Sequence, residues 1–326
     1  METLERPGRT CPLAYRYPAA AITAGVPLRV DTLWVAGGLY GNPFALRALL
    51  EAYGAEAGSK ALVFNGDFHW FDVDAEDFRR VNETALSFHA LRGNIETELS
   101  VPDDGAGCGC SYPDWVSDAT VQHSNRIIER LQATARSSDV DLARLAALPM
   151  YLAARVGDAR IGIVHGDADS LAGWGFSQEA LATGPGFAAA AARFARARVD
   201  IFASSHTCLP VLQHFANGEL LVNNGAAGMP NFRGMPFGLA TRISIFPGLN
   251  PVYSARCGPI HVEAIPLPYD ERAWQERFLA QWPPGTDAHS SYWERITRGP
   301  RYDLAQAARP ATGRAGCART AGDSRA

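Results

Sequence analysis

The chain begins its regular pattern with short apolar runs that stop on small or polar residues. Thr32–Gly38 (TLWVAGG) is apolar up to a glycine pair, which predicts a buried strand. Pro43–Tyr53 (PFALRALLEAY) places apolar residues at helical spacing, with proline in the first turn. Lys60–Asp67 (KALVFNGD) predicts a second strand, Asp74–Phe88 a second helix and His89–Asn94 (HALRGN) a third, short strand. This alternation predicts an α/β fold whose central sheet is buried on both faces. A loop of glycine, cysteine and proline follows, Gly105–Trp115, and then a long helix, Ser117–Ser137.

The second half opens with two strands, Tyr151–Gly157 and Ala159–Asp167, joined at Gly157-Asp158 as a tight hairpin. An alanine-rich helix is expected over Ser177–Ala197. From Asp200 to Pro266 the pattern predicts mostly short strands: DIFASSH, PVLQHF, ELLVNNG, LATRISIF and HVEAIPL. YDERAWQERFLAQW and SYWERI read as amphipathic helices able to pack on the domain, and from Ala308 onward an Ala, Arg, Gly and Ser tail is expected to be disordered. No internal repeat or linker divides the chain. The organisation expected is an N-terminal extension (1–30), an α/β domain (31–266) with a helical, cysteine-bearing insertion (98–148), a C-terminal helical extension (267–307) and the tail (308–326).

Composition adds exclusions. With 326 residues, 47% apolar and 20% charged, the chain has the make-up of a globular protein. The net charge is −4 and no Lys/Arg-rich run occurs, so nucleic acid is not indicated as a partner. No apolar run is long enough to span a bilayer, so no membrane partner is indicated either. The N-terminus lacks the apolar core of a signal peptide, which makes a cytoplasmic location the expectation. The six cysteines then read as free thiols or metal ligands rather than a disulfide framework.

Ligands of open α/β sheets sit outside the carboxyl ends of the strands. There the sequence places Gly37–Asn42 (GGLYGN), Asp67 and His69, Asn94 and Glu96, His165 with Asp167 and Asp169, His206 with Cys208, and Asn223-Asn224. Asp, Asn, His and His at successive strand ends form a plausible ligand set. Mixed oxygen and imidazole donors suit manganese, iron or zinc better than calcium. His69 lies two residues after Asp67, so on an extended chain both would point the same way. Asn42 is placed either to bond a phosphate oxygen or to cap the following helix. Arg233 is a candidate for pairing with a phosphate. His123 is a general-acid candidate if its helix crosses the cleft.

This series resembles the calcineurin-like metallophosphoesterases. Of their five blocks, Asp-x-His-Gly, Gly-Asp, Gly-Asn-His/x-Asp/Glu, Gly/x-His and Gly-His-x-His, the last four are recognisable in order as NGD, RGNIE, VHGD and SHTC, and GGLYGN stands where the first belongs. The resemblance implies a two-sheet sandwich flanked by helices, and metal-dependent hydrolysis of a phosphoester, with a phosphorylated small molecule or other phosphoester as substrate. It implies that Asp67, Asn94, His165 and His206 hold one metal; the catalytic candidates are Asp67, His206 and His69. The first metal site of the family departs from the pattern: Gly38 and Tyr40 replace its Asp and His, Cys208 replaces its last His, and Ile95 stands where a general acid often does. One or two divalent ions per chain are therefore expected. Replacement ligands would come from His69, from Asp167 and Asp169, from Tyr40, or from Cys208 with Cys108 and Cys110. The competing readings are a non-catalytic binding protein of the same fold and a cysteine-ligated metal or redox protein.

Overall fold

Leu33 and Val35 on one strand belong to one apolar cluster and Trp34 and Ala36 to another. Ala61 and Val63, against Leu62 and Phe64, divide the same way on the neighbouring strand. Successive side chains of a strand face opposite sides, so both faces of this sheet are covered, which is why the strands read as continuous apolar runs.

The computed structural model describes residues 6–103, 105–248 and 250–309. In chain order the elements are β1 (Leu28–Val30), β2 (Thr32–Ala36), α1 (Pro43–Gly54), β3 (Lys60–Asn65), α2 (Ala75–Ala85), β4 (His89–Leu91), α3 (Asn94–Ser100), α4 (Asp118–Ser137), α5 (Leu142–Ala146), β5 (Tyr151–Val156), β6 (Ala159–Val164), α6 (Gln178–Leu181), α7 (Gly184–Ala197), β7 (Ile201–Ser204), β8 (Val211–His214), β9 (Leu220–Asn223), β10 (Gly238–Ser244), β11 (Tyr253–Cys257), β12 (Ile260–Leu267), α8 (Glu271–Gln281), α9 (Asp287–Arg298) and α10 (Leu304–Ala307). They build two six-stranded sheets, ordered β1-β5-β6-β7-β9-β8 and β11-β12-β10-β2-β3-β4. Both are mixed: β2, β3 and β4 run parallel, as do β6, β7 and β9 and the pair β1 and β5, and the remaining neighbours run antiparallel.

The core between the sheets takes Leu33, Val63 and Ile243 from one and Ile161, Ile201 and Val222 from the other. Helices cover the outer faces. Phe78, Ile127, Leu131, Trp274 and Phe278 pack outside the β2–β3 sheet, and Phe194 with Tyr15, Tyr17 and Ile22 packs outside the β6–β7 sheet. This is the two-sheet sandwich flanked by helices that the sequence implied.

Three local expectations are corrected. The single helix over Ser177–Ala197 is two, α6 and α7, because Pro185 supplies no N–H and Thr183 caps the second start by accepting from Gly186 N. Strands β1 and β11 were not expected; both lie at sheet edges, where burial is partial and the apolar signal is weak. Ala308 bridges Leu212 and Arg309 N donates to Leu212 O, so the tail is placed as far as Arg309. The expectation of disorder for 310–326 falls outside the described residues. Among the described residues no helix is long and apolar enough to cross a membrane.

Candidate metal centre

Asp67 lies just beyond β3 and Asn94 just beyond β4, both in one sheet; His165 follows β6 and His206 follows β7, in the other. The carboxyl ends of the two sheets are tied together at this point. Asn65 Nδ2 donates to Val164 O (2.9 Å) and to Ser205 Oγ (2.9 Å), and the amides of Ser205 and His206 donate to His165 O (2.9 and 2.8 Å).

The Gly66-Asp67 turn has left-handed backbone at both residues, φ 75° and 53°. Glycine is required at Gly66, because a Cβ there would lie 2.6 Å from Gly93 and 2.5 Å from His165 Nδ1. The less favourable left-handed Asp67 is held by Glu96, whose buried carboxylate accepts from Asp67 N (2.8 Å), Phe68 N (3.0 Å) and Gly93 N (2.8 Å). Burial, and then the charge of Asp67, push the Glu96 carboxyl upward.

Four polar side-chain atoms converge. His165 Nε2 lies 3.3 Å from Asp67 Oδ1, 3.2 Å from Asn94 Oδ1 and 3.2 Å from His206 Nδ1. The opposite end of each nitrogen-bearing side chain is fixed on a backbone carbonyl. His165 Nδ1 faces Asn65 O at 2.8 Å, His206 Nε2 faces Cys110 O at 3.0 Å and Asn94 Nδ2 donates to Cys108 O at 2.9 Å. Those carbonyls require the hydrogens on the outer atoms, which leaves lone pairs pointing inward. A single proton on His165 Nε2 can serve one of its three inward contacts. The centre is thus rich in acceptors and poor in donors, and Asp67, His165 and His206 are all buried. Its donors are two imidazoles, a carboxylate and an amide oxygen, which fits a divalent transition metal.

Charge is balanced accordingly. Burial and the neighbouring His165 push His206 down to about 4, so its ring is neutral near pH 7. Burial, the largest single influence, disfavours charge on His165, but Asp67, the Asn65 carbonyl and Glu96 together outweigh it and His165 ends above its ordinary value.

Comparison with known proteins follows the same geometry. No family model matches the sequence, and no curated protein matches it. Among solved structures, the chain is similar to a hypothetical protein, PH1004, of Pyrococcus horikoshii OT3, at 15% identity and TM-score 0.55, covering 83% of this chain and 99% of that one. It is also similar to a metallophosphoesterase of Sphaerobacter thermophilus, at 16% identity and TM-score 0.51, covering 82% of this chain and 100% of that one. The chain has the fold of a calcineurin-like metallophosphoesterase.

Within this metallophosphoesterase fold the remaining candidates fall outside the cluster. His69 is turned away. The chain after Asp67 is not extended, and His69 is fully buried, stacked on Phe78 (3.9 Å between centroids), with Nδ1 2.6 Å from Asp72 Oδ2. Asn42 is the cap of α1: its Oδ1 accepts from Phe44 N and Ala45 N, both at 3.0 Å, its Nδ2 donates to Gly228 O, and the residue is fully buried. Arg233 is largely exposed and pairs with Asp303. Asp167 and Asp169 are held by Arg193, and Asp169 also by Arg196, while Asp167 further caps the turn through Asp169 N, Ser170 N and Gly175 N. His123 bonds Ser291 between α4 and α9.

The cysteine site does not assemble. Cys108 Sγ lies 2.7 Å from Cys110 Sγ, whereas Cys208 Sγ lies 2.7 Å from Tyr40 Oη. Among the described residues, Asp67, His165 and His206 alone bring three such ligand atoms within 4.8 Å of one another. The cysteine loop contributes its backbone instead, through the carbonyls of Cys108 and Cys110.

Sequence reasoning missed other neighbours of the centre. Trp174 packs edge-on against His206, 5.5 Å between centroids, and shares the Cys110 carbonyl through Nε1 (3.0 Å). Tyr112 and the exposed Trp115 continue this aromatic surface. Arg295, on α9, donates to Cys208 O (3.0 Å) and Pro230 O (3.3 Å). Backbone carbonyls leave no mark in a sequence, and Arg295 sits in a segment that reads simply as an amphipathic helix.

Proposed function

We propose that the chain is a metal-dependent phosphoesterase working with one divalent cation, held by Asp67, Asn94, His165 and His206. The observation that carries this is the convergence of Asp67 Oδ1, Asn94 Oδ1, His165 Nε2 and His206 Nδ1, with the outer nitrogens of Asn94, His165 and His206 each set on a backbone carbonyl. Without a cation the arrangement leaves buried acceptors facing one another, which is costly. When bound, a divalent cation supplies Lewis-acid polarisation of a phosphoryl oxygen and lowers the pKa of a water. Glu96 holds Asp67 in its left-handed turn, and the Cys108–Cys110 loop fixes Asn94 and His206 so that no reorganisation is needed on binding. Neutral His206 keeps its Nδ1 lone pair available near pH 7.

A second reading, a non-catalytic binding protein of the same fold, is favoured by one observation: Tyr40 and Cys208 fill the other half of the cleft. One experiment separates the two. The chain, purified without a metal-affinity tag, is counted for manganese, iron and zinc by elemental mass spectrometry, then assayed with aryl phosphate monoesters and diesters. About one ion per chain, with hydrolysis that disappears together with the ion in Asp67→Ala and His206→Ala, supports the enzyme. A bound ion without turnover supports the binding protein. Hydrolysis that survives in both variants sinks the assignment of the centre.

A further inference from the structure

The space over Gly38, near Asp67, is filled by side chains. A Cβ on Gly38 would lie 2.1 Å from Tyr40 Cζ and 2.5 Å from its hydroxyl, so the Tyr40 ring fills the space a side chain at 38 would use. Tyr40 Oη meets Cys208 Sγ at 2.7 Å, and both residues adopt left-handed backbone, φ 55° and 61°. The pair is a phenol and a thiol, and neither carries positive charge in any protonation state. It offers a phosphoryl group no cation.

Arg295 supplies one. Its Nη2 donates to Cys208 O and its Nε to Pro230 O, both uncharged acceptors. Among the described residues it forms no ion pair with a carboxylate, although it is half-buried. Beyond these two carbonyls and the neighbouring Cys208 thiol, its N–H donors have no partner among the described residues. A half-buried guanidinium without a counter-charge is favourable chiefly when an anion completes it, and its planar fork matches phosphate oxygens.

We propose that Arg295 takes over the role of the second cation by binding the phosphoryl oxygens of the substrate, across the Tyr40–Cys208 pair from the Asp67 cluster. This rests on the phosphoesterase reading of the same site. It makes α9 of the C-terminal segment part of the binding machinery.

The test uses the full chain, wild type, Arg295→Met and Arg295→Lys. Metal content is measured by elemental mass spectrometry and inorganic phosphate is titrated by calorimetry into metal-loaded and metal-free protein. Arg295→Met is expected to keep its metal and its unfolding midpoint while binding phosphate at least about tenfold more weakly. Arg295→Lys should recover part of that loss, because an ammonium keeps the charge without the fork. Unchanged phosphate affinity in Arg295→Met overturns the proposal. So does loss of metal in that variant, which would make Arg295 a support of the Cys208 loop. If the wild type takes up no metal, the phosphoesterase reading falls by itself. The metal-free titration then still decides on Arg295: phosphate binding that depends on it upholds the anion site, and absence of such binding overturns it.

Discussion

The two halves of the cleft share Asp67 and treat it in opposite ways. On one side Asn94, His165 and His206 turn lone pairs toward it, each held from behind by a carbonyl. On the other, a tyrosine ring occupies the space over Gly38 and a neutral hydrogen bond joins Tyr40 to Cys208. The first half is polar and short of hydrogens, which is the basis for proposing that a cation completes it. The second half is filled by side-chain volume, so it is complete as it stands. The comparison teaches that two sides of one carboxylate can be finished differently, one by converging polar atoms and the other by packed volume.

The strongest way to break this contrast is to remove a ligand. His165→Ala is expected to weaken metal binding by more than about 100-fold, read by calorimetric titration, since even outer supports of metal ligands are worth ~10–100-fold. Affinity within a few-fold of wild type would show that the cluster is a hydrogen-bonded core and not a metal centre.

A pH series on metal-free protein sharpens the same half. His206 is depressed to about 4 in the folded chain, so its contribution is present above its ordinary unfolded value and is lost as pH falls toward 4. The loss is on the order of 3 kcal/mol, measured as the difference in urea unfolding between wild type and His206→Asn at pH 7 and pH 4. His165 has the opposite sign. Its folded value is raised, so its contribution is present below the unfolded value and lost as pH rises through the folded one. Parallel pH dependences in wild type and His206→Asn would contradict the buried neutral ring.

On the filled half, Gly38→Ala drives a methyl into the Tyr40 ring and is expected to cost about 1–3 kcal/mol. The added substitution Tyr40→Ala should remove that penalty, so that the two changes are non-additive in thermal or urea unfolding. Additive effects would mean that Tyr40 does not occupy the space. The smallest effect is expected for Tyr40→Phe, which loses the bond to Cys208 and costs ~1 kcal/mol while leaving metal content unchanged. A change in metal content there would show that the two halves are coupled.

The strands carrying Asp67, Asn94, His165 and His206 were legible because apolar runs that end at Gly-Asp, Gly-Asn, His-Gly and Ser-His place polar groups at strand ends. His69 was misread because a period-2 argument needs an extended chain, and the left-handed turn at Gly66-Asp67 ends it. Asn42 carried two meanings in sequence, and its hydrogen bonds to Phe44 N and Ala45 N select the cap. The cysteines were read through their sulfurs, whereas the contacts that matter come from the carbonyls of Cys108 and Cys110, which any residue offers.

The sequence alone determined most of the sheet-and-helix order, the residue types at the strand ends and the presence of Gly38 and Tyr40 in the first of these ends, because these are written in local periodicity and residue identity. The tertiary structure decided which of those residues meet, that Tyr40 fills the space over Gly38, and that Arg295 arrives from α9. Such contacts join residues far apart in the chain, and their distances are set by how two sheets and their helices pack, which local pattern does not encode.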